Sequence, residues 1–156
     1  MNNTADHQNE EVLAGEEEIQ VVAFQLGKEE YAVDILNVQE IIGLLNITRV
    51  PRSDKYLEGV VNLRGNIIPV INLHTKFNLA SAGDKDDKRI IVFQFEDVRA
   101  GIIVDEVSEV LRINTRDIET ATYQSMDATM IKGIAKVGER LLILLDLQRI
   151  LGLEAV

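Results

Sequence analysis

The sequence of 156 residues contains no cysteine and no tryptophan, and only two histidines and two prolines. Without cysteine there are no disulfides, no thiolate nucleophiles and no cysteine-ligated zinc or iron–sulfur sites. A histidine-based metal or nucleophile site would depend on His74, because His7 lies in a polar N-terminal stretch. No glycine-rich phosphate-binding motif is present. We therefore expect no catalytic residues, no metal and no cofactor, and we expect His74 to be a solvated helix residue.

Basic charge is also scarce. The chain has 16 Lys and Arg against 26 Asp and Glu, which gives a formal net charge of −10. Proteins that bind nucleic acid or anionic membranes need a basic face, so both classes of partner are disfavoured. No apolar run reaches the roughly 18 residues of a membrane span, and the N-terminus lacks the pattern of a signal peptide. These features predict a cytoplasmic protein without direct membrane insertion.

The acidic surplus is concentrated at the N-terminus. Six acidic residues and no Lys or Arg lie within residues 1–18, which show no periodic apolar pattern. Segments with this composition cannot bury enough apolar surface to fold, so residues 1–18 are predicted to be a mobile acidic tail. The regular pattern begins at Ile19, and residues 19–156 are the predicted folded domain.

The folded part contains an internal duplication. A shift of 69 positions aligns residues 21–42 with 90–111, and a shift of 74 positions aligns 56–79 with 130–153. Both alignments are free of gaps and keep most apolar positions apolar. One duplication explains both shifts if five residues were inserted between Leu111 and Met130.

Each repeat is predicted to contain five short strands. Runs of β-branched residues bounded by glycine and polar residues are typical of strands. Such runs occupy residues 19–26, 30–35, 44–50, 59–64 and 66–71, then 88–96, 98–105, 109–114, 133–137 and 140–146. Ile35, Val38 and Ile42 have helical spacing, which predicts a short helix over residues 36–42.

Short strands joined by tight turns favour antiparallel barrels. The two barrel subdomains are predicted at about residues 19–79 and 88–153, joined by the small and charged residues 80–88. Each barrel alone would bury too little apolar surface, so the two should share an apolar seam, and they could exchange strands.

Two charged residues are candidates for contact with a partner. Glu40 lies among apolar residues, and an unpaired buried carboxylate is costly, so Glu40 must face water, a cation or a partner. Arg64 lies at the tip of a predicted hairpin where no neighbouring residue explains it, and arginine is enriched at binding hot spots. A groove between the barrels could take the apolar face of a helix.

Six segments of the sequence resemble one family, the CheW coupling proteins of bacterial chemotaxis. The resemblance covers residues 19–153, and its most specific part is the stretch NLRGNIIPV. The segments are residues 30–35, 38–41, 59–73, 101–105, 107–111 and 141–146.

The resemblance implies a mainly β fold of two intertwined five-stranded SH3-like β-barrels with short helices. It also implies a non-enzymatic adaptor that couples the cytoplasmic tip of methyl-accepting chemoreceptors to the regulatory domain of the CheA histidine kinase. The receptor-binding residues that it implies are Val38, Glu40, Gly59, Arg64, Val107 and Val110. For kinase contacts it points to two patches, represented by Ile47, Asn66, Ile67 and Tyr123.

Two other functions remain open on the sequence. The chain could be an adaptor or regulatory module of another signalling pathway, because that function requires the same composition and fold. It could also be a small-ligand binder or hydrolase that uses a cleft between the barrels, with Glu40 and Asp105 as acids. The scarcity of aromatic side chains disfavours a sugar-binding cleft.

Overall fold

A computed structural model describes residues 17–120 and 130–152. The chain is mainly β, as predicted. Its strands are β1 (Glu18–Leu26), β2 (Glu29–Asp34), β3 (Val38–Gly43), β4 (Leu57–Leu63), β5 (Asn66–Ile71), β6 (Arg89–Phe95), β7 (Val98–Val104), β8 (Glu106–Asn114), β9 (Ile118–Thr120), β10 (Ile131–Val137) and β11 (Arg140–Leu145). Its helices are α1 (Leu73–Phe77) and α2 (Leu147–Ile150), with 3-10 turns at Ile35–Asn37, Lys85–Asp87 and Thr115–Asp117.

The predicted duplication is confirmed element by element. The 74-position shift places β4 and β5 on β10 and β11 with identical bounds, and α1 on α2 with the same first residue. The 69-position shift places β1, β2 and β3 on β6, β7 and β8 to within two residues at each end. The two repeats therefore share the same order of five strands and one helix, and the second repeat has one additional strand, β9.

The two sheets do not follow the two repeats. Sheet A has the strand order β8-β1-β2-β11-β10-β9, and sheet B has the order β3-β6-β7-β5-β4. The third strand of each repeat pairs antiparallel with the first strand of the other. The last strand of each repeat pairs parallel with the second strand of the other. Each sheet is thus built from both halves of the chain.

Three apolar clusters fill the interior. The shared core takes side chains from both sheets and includes Phe24 and Phe93. The other two clusters are the sheet A core, which includes Ala23, and the sheet B core, which includes Val92. Successive side chains of β1 and β6 alternate between the shared core and one of these cores, as strand geometry requires. Both faces of β1 and β6 are consequently buried.

The structure corrects two predicted elements. The predicted helix over residues 36–42 is the 3-10 turn followed by strand β3. The ladder between β3 and β6 contains a bulge between Val38 and Glu40, which shifts the alternation by one residue. Ile35 and Val38 pack against the shared core and Ile42 packs against the sheet B core, so their helical spacing combines residues from two faces of the chain.

The predicted strand over residues 44–50 is irregular except for one bridge between Thr48 and Val60. This segment crosses β4 where Gly59 lies, and the backbones meet there through two hydrogen bonds between Thr48 and Val60. In the second repeat the corresponding segment is β9, which makes sheet A six-stranded instead of five-stranded. The predicted strand over 109–114 also begins earlier, at Glu106.

The buried carboxylate of Asp105 anchors the segment that joins the two repeats. Asp105 is 2% exposed, and it accepts hydrogen bonds from the backbone N–H groups of Gly27 (2.8 Å) and Ala82 (3.2 Å). Lys88 Nζ lies 2.6 Å from Oδ1, and His74 Nε2 lies 3.0 Å from Oδ2. The prediction that His74 is a solvated residue is wrong, since its side chain is only 11% exposed.

Burial alone would raise the pKa of Asp105. The hydrogen bonds from His74, Lys88 and Gly27 outweigh burial and hold the pKa below its ordinary value of 3.8. A carboxyl whose pKa is lower in the folded protein than in the unfolded chain stabilises the fold at high pH. The contribution of Asp105 is therefore complete well above pH 3.8 and is lost as the pH falls below that value.

We expect Asp105→Asn to lower the free energy of unfolding at neutral pH by about 3 kcal/mol, because it leaves the partly buried Lys88 ammonium without its counterion. The control is Asp34→Asn, which changes a half-buried carboxylate that accepts one hydrogen bond from Leu36 N. Urea unfolding at a series of pH values measures both variants. Equal losses for the two, or a loss for Asp105→Asn that does not shrink on acidification, would contradict this assignment.

Candidate functional site

Val38 and Val107 lie at the border of the shared core, one in each sheet. Val38 is directly opposite Phe93 in the β3–β6 ladder, and Val107 is opposite Phe24 in the β8–β1 ladder. Residues directly opposite each other on neighbouring strands point to the same face. Both phenylalanines are fully buried in the shared core, and both valines are half-buried against it.

Each repeat has a β-bulge immediately after this valine. Gln39 has no partner in the β3–β6 ladder and Ser108 has none in the β8–β1 ladder. The bulge returns the side chains three residues after each valine to the shared-core face, because Ile41 is opposite Ile91 and Val110 is opposite Val22. These two side chains extend past the core and are 38% and 48% exposed.

Val38, Ile41, Val107 and Val110 are named here the apolar border. It is continuous with the shared core on the inside and is open to solvent at Ile41 and Val110. The junction between the sheets is itself filled by side chains that are at most 5% exposed. A partner helix can therefore contact the apolar border from outside, but it cannot enter between the sheets.

Glu40 and Arg64 form an ion pair beside the apolar border. Arg64 Nη2 donates to both carboxylate oxygens of Glu40, at 2.8 and 2.7 Å. β3 and β4 are the two outermost strands of sheet B. The ion pair therefore connects one edge of this sheet to the β4–β5 hairpin at the other edge. Glu40 is 26% exposed and Arg64 is 68% exposed. The structure thus supplies the partner of Arg64 that no neighbouring residue in the sequence provides.

The hairpin tip holds Arg64 in an uncommon backbone conformation. Arg64 and Gly65 have φ values of 53° and 88°, as a two-residue hairpin turn of type I′ requires. The left-handed conformation costs roughly 1 kcal/mol at a residue with a Cβ atom. The side chain of Asn62 stabilises the turn by accepting a hydrogen bond from Gly65 N at 2.9 Å.

A corresponding ion cluster lies on sheet A and was not identified from the sequence. Arg140 donates to Glu109 (Nη1, 2.7 Å) and to Glu30 (Nη2, 2.7 Å, and Nε, 3.2 Å). These hydrogen bonds hold the pKa of Arg140 above its ordinary value. The 69-position shift places Glu109 on Glu40, so the duplication could have indicated the acidic partner. The 74-position shift places Arg140 on Asn66, and the basic partner is therefore not visible in the alignment of repeats.

Gly59 is buried next to the segment that crosses β4. Its φ is 155°, and a Cβ atom there would lie 2.4 Å from the carbonyl oxygen of Thr48. Gly133 is its counterpart, where a Cβ atom would lie 2.5 Å from the carbonyl oxygen of Glu119. In both repeats the glycine allows one backbone segment to cross another, so Gly59 shapes the fold next to the site.

The residues expected to bind the kinase lie near the two ends of β4, apart from one that is not described. Ile47 packs against the sheet B core beside Gly59, whereas Asn66 and Ile67 lie at the tip of the β4–β5 hairpin. Gly59 and Leu63 are four residues apart on β4, and Leu63 is opposite Asn66. Ile47 and the hairpin tip are therefore separated by about 13 Å along this strand. Ile67 is 65% exposed. Tyr123 lies outside the described residues.

The acids that a hydrolase would need are already engaged. Both oxygens of Glu40 contact Arg64, and both oxygens of Asp105 accept hydrogen bonds in a buried cluster. Residues 17–120 and 130–152 contain no group of three His, Cys, Asp or Glu side chains placed to hold a metal ion. In the same part of the chain, no helix is long and apolar enough to cross a membrane.

Comparison with known proteins identifies relatives of the whole folded part. The CheW-like domain family matches residues 20–155. The chain is 39% identical to the chemotaxis protein CheW of Helicobacter pylori, over 87% of this chain and 83% of the relative. It is 39% identical to CheW of Klebsiella aerogenes, over 91% and 87%. The crystal structure of the scaffolding protein TtCheW from Thermoanaerobacter tengcongensis superimposes with a TM-score of 0.78 at 36% identity, covering 84% of this chain and 86% of that one.

We expect Gly59→Ala to destabilise the protein by more than 2 kcal/mol, because the methyl group would collide with the backbone of Thr48. Gly138→Ala is the matched control: Gly138 also has a positive φ, of 62°, but no atom lies within 4 Å of its Cβ position. Its substitution should cost only about 1 kcal/mol. Thermal unfolding followed by circular dichroism distinguishes the two, and a similar loss in both would show that the close approach is unimportant.

Proposed function

The chain belongs to the CheW-like domain family of chemotaxis scaffold proteins, and on this premise we propose that it couples methyl-accepting chemoreceptors to the CheA histidine kinase. The proposal rests chiefly on one feature, the apolar border flanked by the Glu40–Arg64 ion pair. In this proposal, neither the apolar side chains nor the ion pair acts as a catalytic group. Together they present apolar side chains and a cation that a protein partner can bind.

The proposed receptor contact is made by the apolar border. A chemoreceptor tip is a helical hairpin, and an amphipathic helix binds through an apolar stripe. Ile41 and Val110 supply exposed apolar surface, and Val38 and Val107 connect it to the rigid shared core. Burial on rigid strands keeps the entropy lost on binding small. Gly59 contributes indirectly, by fixing the segment that crosses β4.

Arg64 is suited to determine the register of the receptor helix. Its Nη2 is used by Glu40, while 68% of its side chain remains exposed and guanidinium has five N–H donors. A carboxylate or carbonyl of the receptor could accept from the remaining donors without displacing Glu40. Charged groups at the rim of an interface determine orientation and specificity more than affinity.

The proposed kinase contact is a separate patch at the β4–β5 hairpin tip. The β5–β7 ladder begins only at Val70 and Gly101, so the first residues of both strands are splayed apart. A depression lies at this point, and Ile67 and Val98 are exposed beside it by 65% and 42%. Asn66 is part of the same lining. Because Ile47 lies at the far end of β4, the hairpin tip is the better supported kinase patch.

We expect Glu40→Ala and Arg64→Ala to weaken binding of a receptor fragment about tenfold, as loss of a hot-spot contact does. Their thermal stability should change little, because Arg64 is 68% exposed and ion pairs at an exposed surface contribute at most about 1 kcal/mol. Lys136→Ala, which removes an exposed cation on β10, is the control and should bind normally. If either variant instead melted as early as the core truncation Ile68→Ala, the ion pair would be a folding element and the receptor assignment would fail.

We also expect the two partners to be separable by mutation. Val110→Asp should reduce receptor binding and leave kinase binding intact, because it adds a charge to the apolar border. Ile67→Asp should do the reverse. Leu36→Asp alters an 86% exposed apolar residue outside both surfaces and serves as the control. The measurement is co-sedimentation with a receptor fragment and CheA, together with kinase turnover. Loss of both partners in either variant would contradict two separate surfaces.

A further inference from the structure

A basic loop connects β3 to β4 in a protein with an acidic surplus. We define the basic loop as residues 49–58, which contain Arg49, Arg52 and Lys55 and line a surface depression. Lys76 of α1 joins them, because its Nζ lies 4.3 Å from the ring centroid of Tyr56 and Lys55 Nζ lies 5.1 Å from the same ring. Three cations therefore line the depression, and Lys76 lies next to it through the Tyr56 ring that it shares with Lys55.

These cations have no anionic partner within residues 17–120 and 130–152, although other basic residues do. Arg64, Lys88 and Arg140 form ion pairs with carboxylates. The two acidic residues of the basic loop make local hydrogen bonds. Asp54 Oδ1 accepts from Tyr56 N at 2.8 Å, and Glu58 Oε1 accepts from Asn72 Nδ2 at 2.9 Å. Both carboxylates keep their charge, so residues 49–58 with Lys76 carry four positive and two negative groups, a local surplus of two positive charges.

The backbone of the loop places Arg52 at an exposed apex. Arg52 follows Pro51 in a turn and has a φ of 61°, where glycine is the usual residue. Ser53 Oγ closes the turn by donating to Val50 O at 2.8 Å. Nothing in the packing of the fold requires an arginine at this strained position. Strained backbone conformations are often found at binding sites.

The chain itself contains a segment of complementary charge. Residues 1–18 carry six acidic side chains and no Lys or Arg, whereas residues 19–156 have 20 acidic and 16 basic side chains. Most of the domain surface therefore repels this segment, and the basic loop attracts it. Glu17 is the first described residue, and its carbonyl accepts a hydrogen bond from Thr115 N at 2.7 Å. Sixteen residues before this anchor can span at most about 55 Å, which exceeds the size of the domain.

We propose that the acidic N-terminal segment binds the basic loop of the same molecule. The contact is electrostatic: carboxylates of residues 6–16 meet the guanidinium and ammonium groups of Arg49, Arg52, Lys55 and Lys76. Covalent connection gives the segment an effective concentration in the millimolar range, so weak ion pairing is sufficient for occupancy. The bound segment excludes acidic surfaces of other proteins from the loop, and salt weakens the contact.

The experiment uses the full chain with a single spin label. Because the sequence has no cysteine, Asn3→Cys provides a unique attachment point for a nitroxide. Paramagnetic broadening of backbone amide signals then reports which part of the domain the segment approaches. We expect residues 49–58 to be broadened several-fold more than the rest of the surface at low salt, and this difference to disappear when salt shortens the screening length to a few ångströms.

Matched variants test the charges directly. Replacing Arg49, Arg52 and Lys55 by Gln should abolish the selective broadening, whereas replacing Lys28, Lys132 and Lys136 by Gln removes equal charge elsewhere and should leave it intact. Circular dichroism establishes that both variants are folded. Uniform broadening, or broadening that survives the loss of the loop cations, overturns the proposal. A second sample mixes an isotope-labelled chain without nitroxide and an unlabelled chain that carries the nitroxide. If the isotope-labelled chain is broadened in this sample, the contact is made by a second copy, and the intramolecular proposal is overturned.

Discussion

The exchange of strands between the repeats is the constraint on which the rest of the structure depends. The first strand of each repeat is covered on one side by the third strand of the other, and its two faces contact two different cores. Neither barrel can form without both halves of the chain. The two sheets are consequently held in one arrangement, and side chains contributed by different repeats keep a constant relation across the shared core.

This constraint explains how a surface without reactive groups can be selective. The apolar border contains two residues from each repeat, and its positions follow from the paired bulges at Gln39 and Ser108. In the proposed function, a partner meets apolar side chains with a spacing fixed by the backbone. The ion pair of Glu40 with Arg64 connects β3 to the β4–β5 hairpin, and the cluster around Arg140 connects β11 to β2 and β8. The proposed recognition therefore depends on rigid placement.

The sequence predicted the features that depend on short-range patterns. Strand alternation, the tight turn at Arg64 and the duplication were all visible, and they led to the correct fold class. The helix predicted over residues 36–42 was wrong because the apolar residues with helical spacing face two different cores along a bulged strand. The pairing of Arg140 with Glu30 joins residues 110 positions apart, and His74 reaches Asp105 across 31 positions. Neither contact leaves a local pattern, so only the folded chain reveals it.

The pairing of each third strand with the opposite repeat has the geometry of a domain-swapped homodimer whose two chains have become one. In a true dimer, symmetry would force both interaction faces to be identical. Within a single polypeptide the halves are free to diverge, and they have done so: one guanidinium stays largely exposed beside a single carboxylate, and its counterpart is engaged by two. The duplicated chain therefore has two inequivalent ends where a symmetric dimer would have two identical ones.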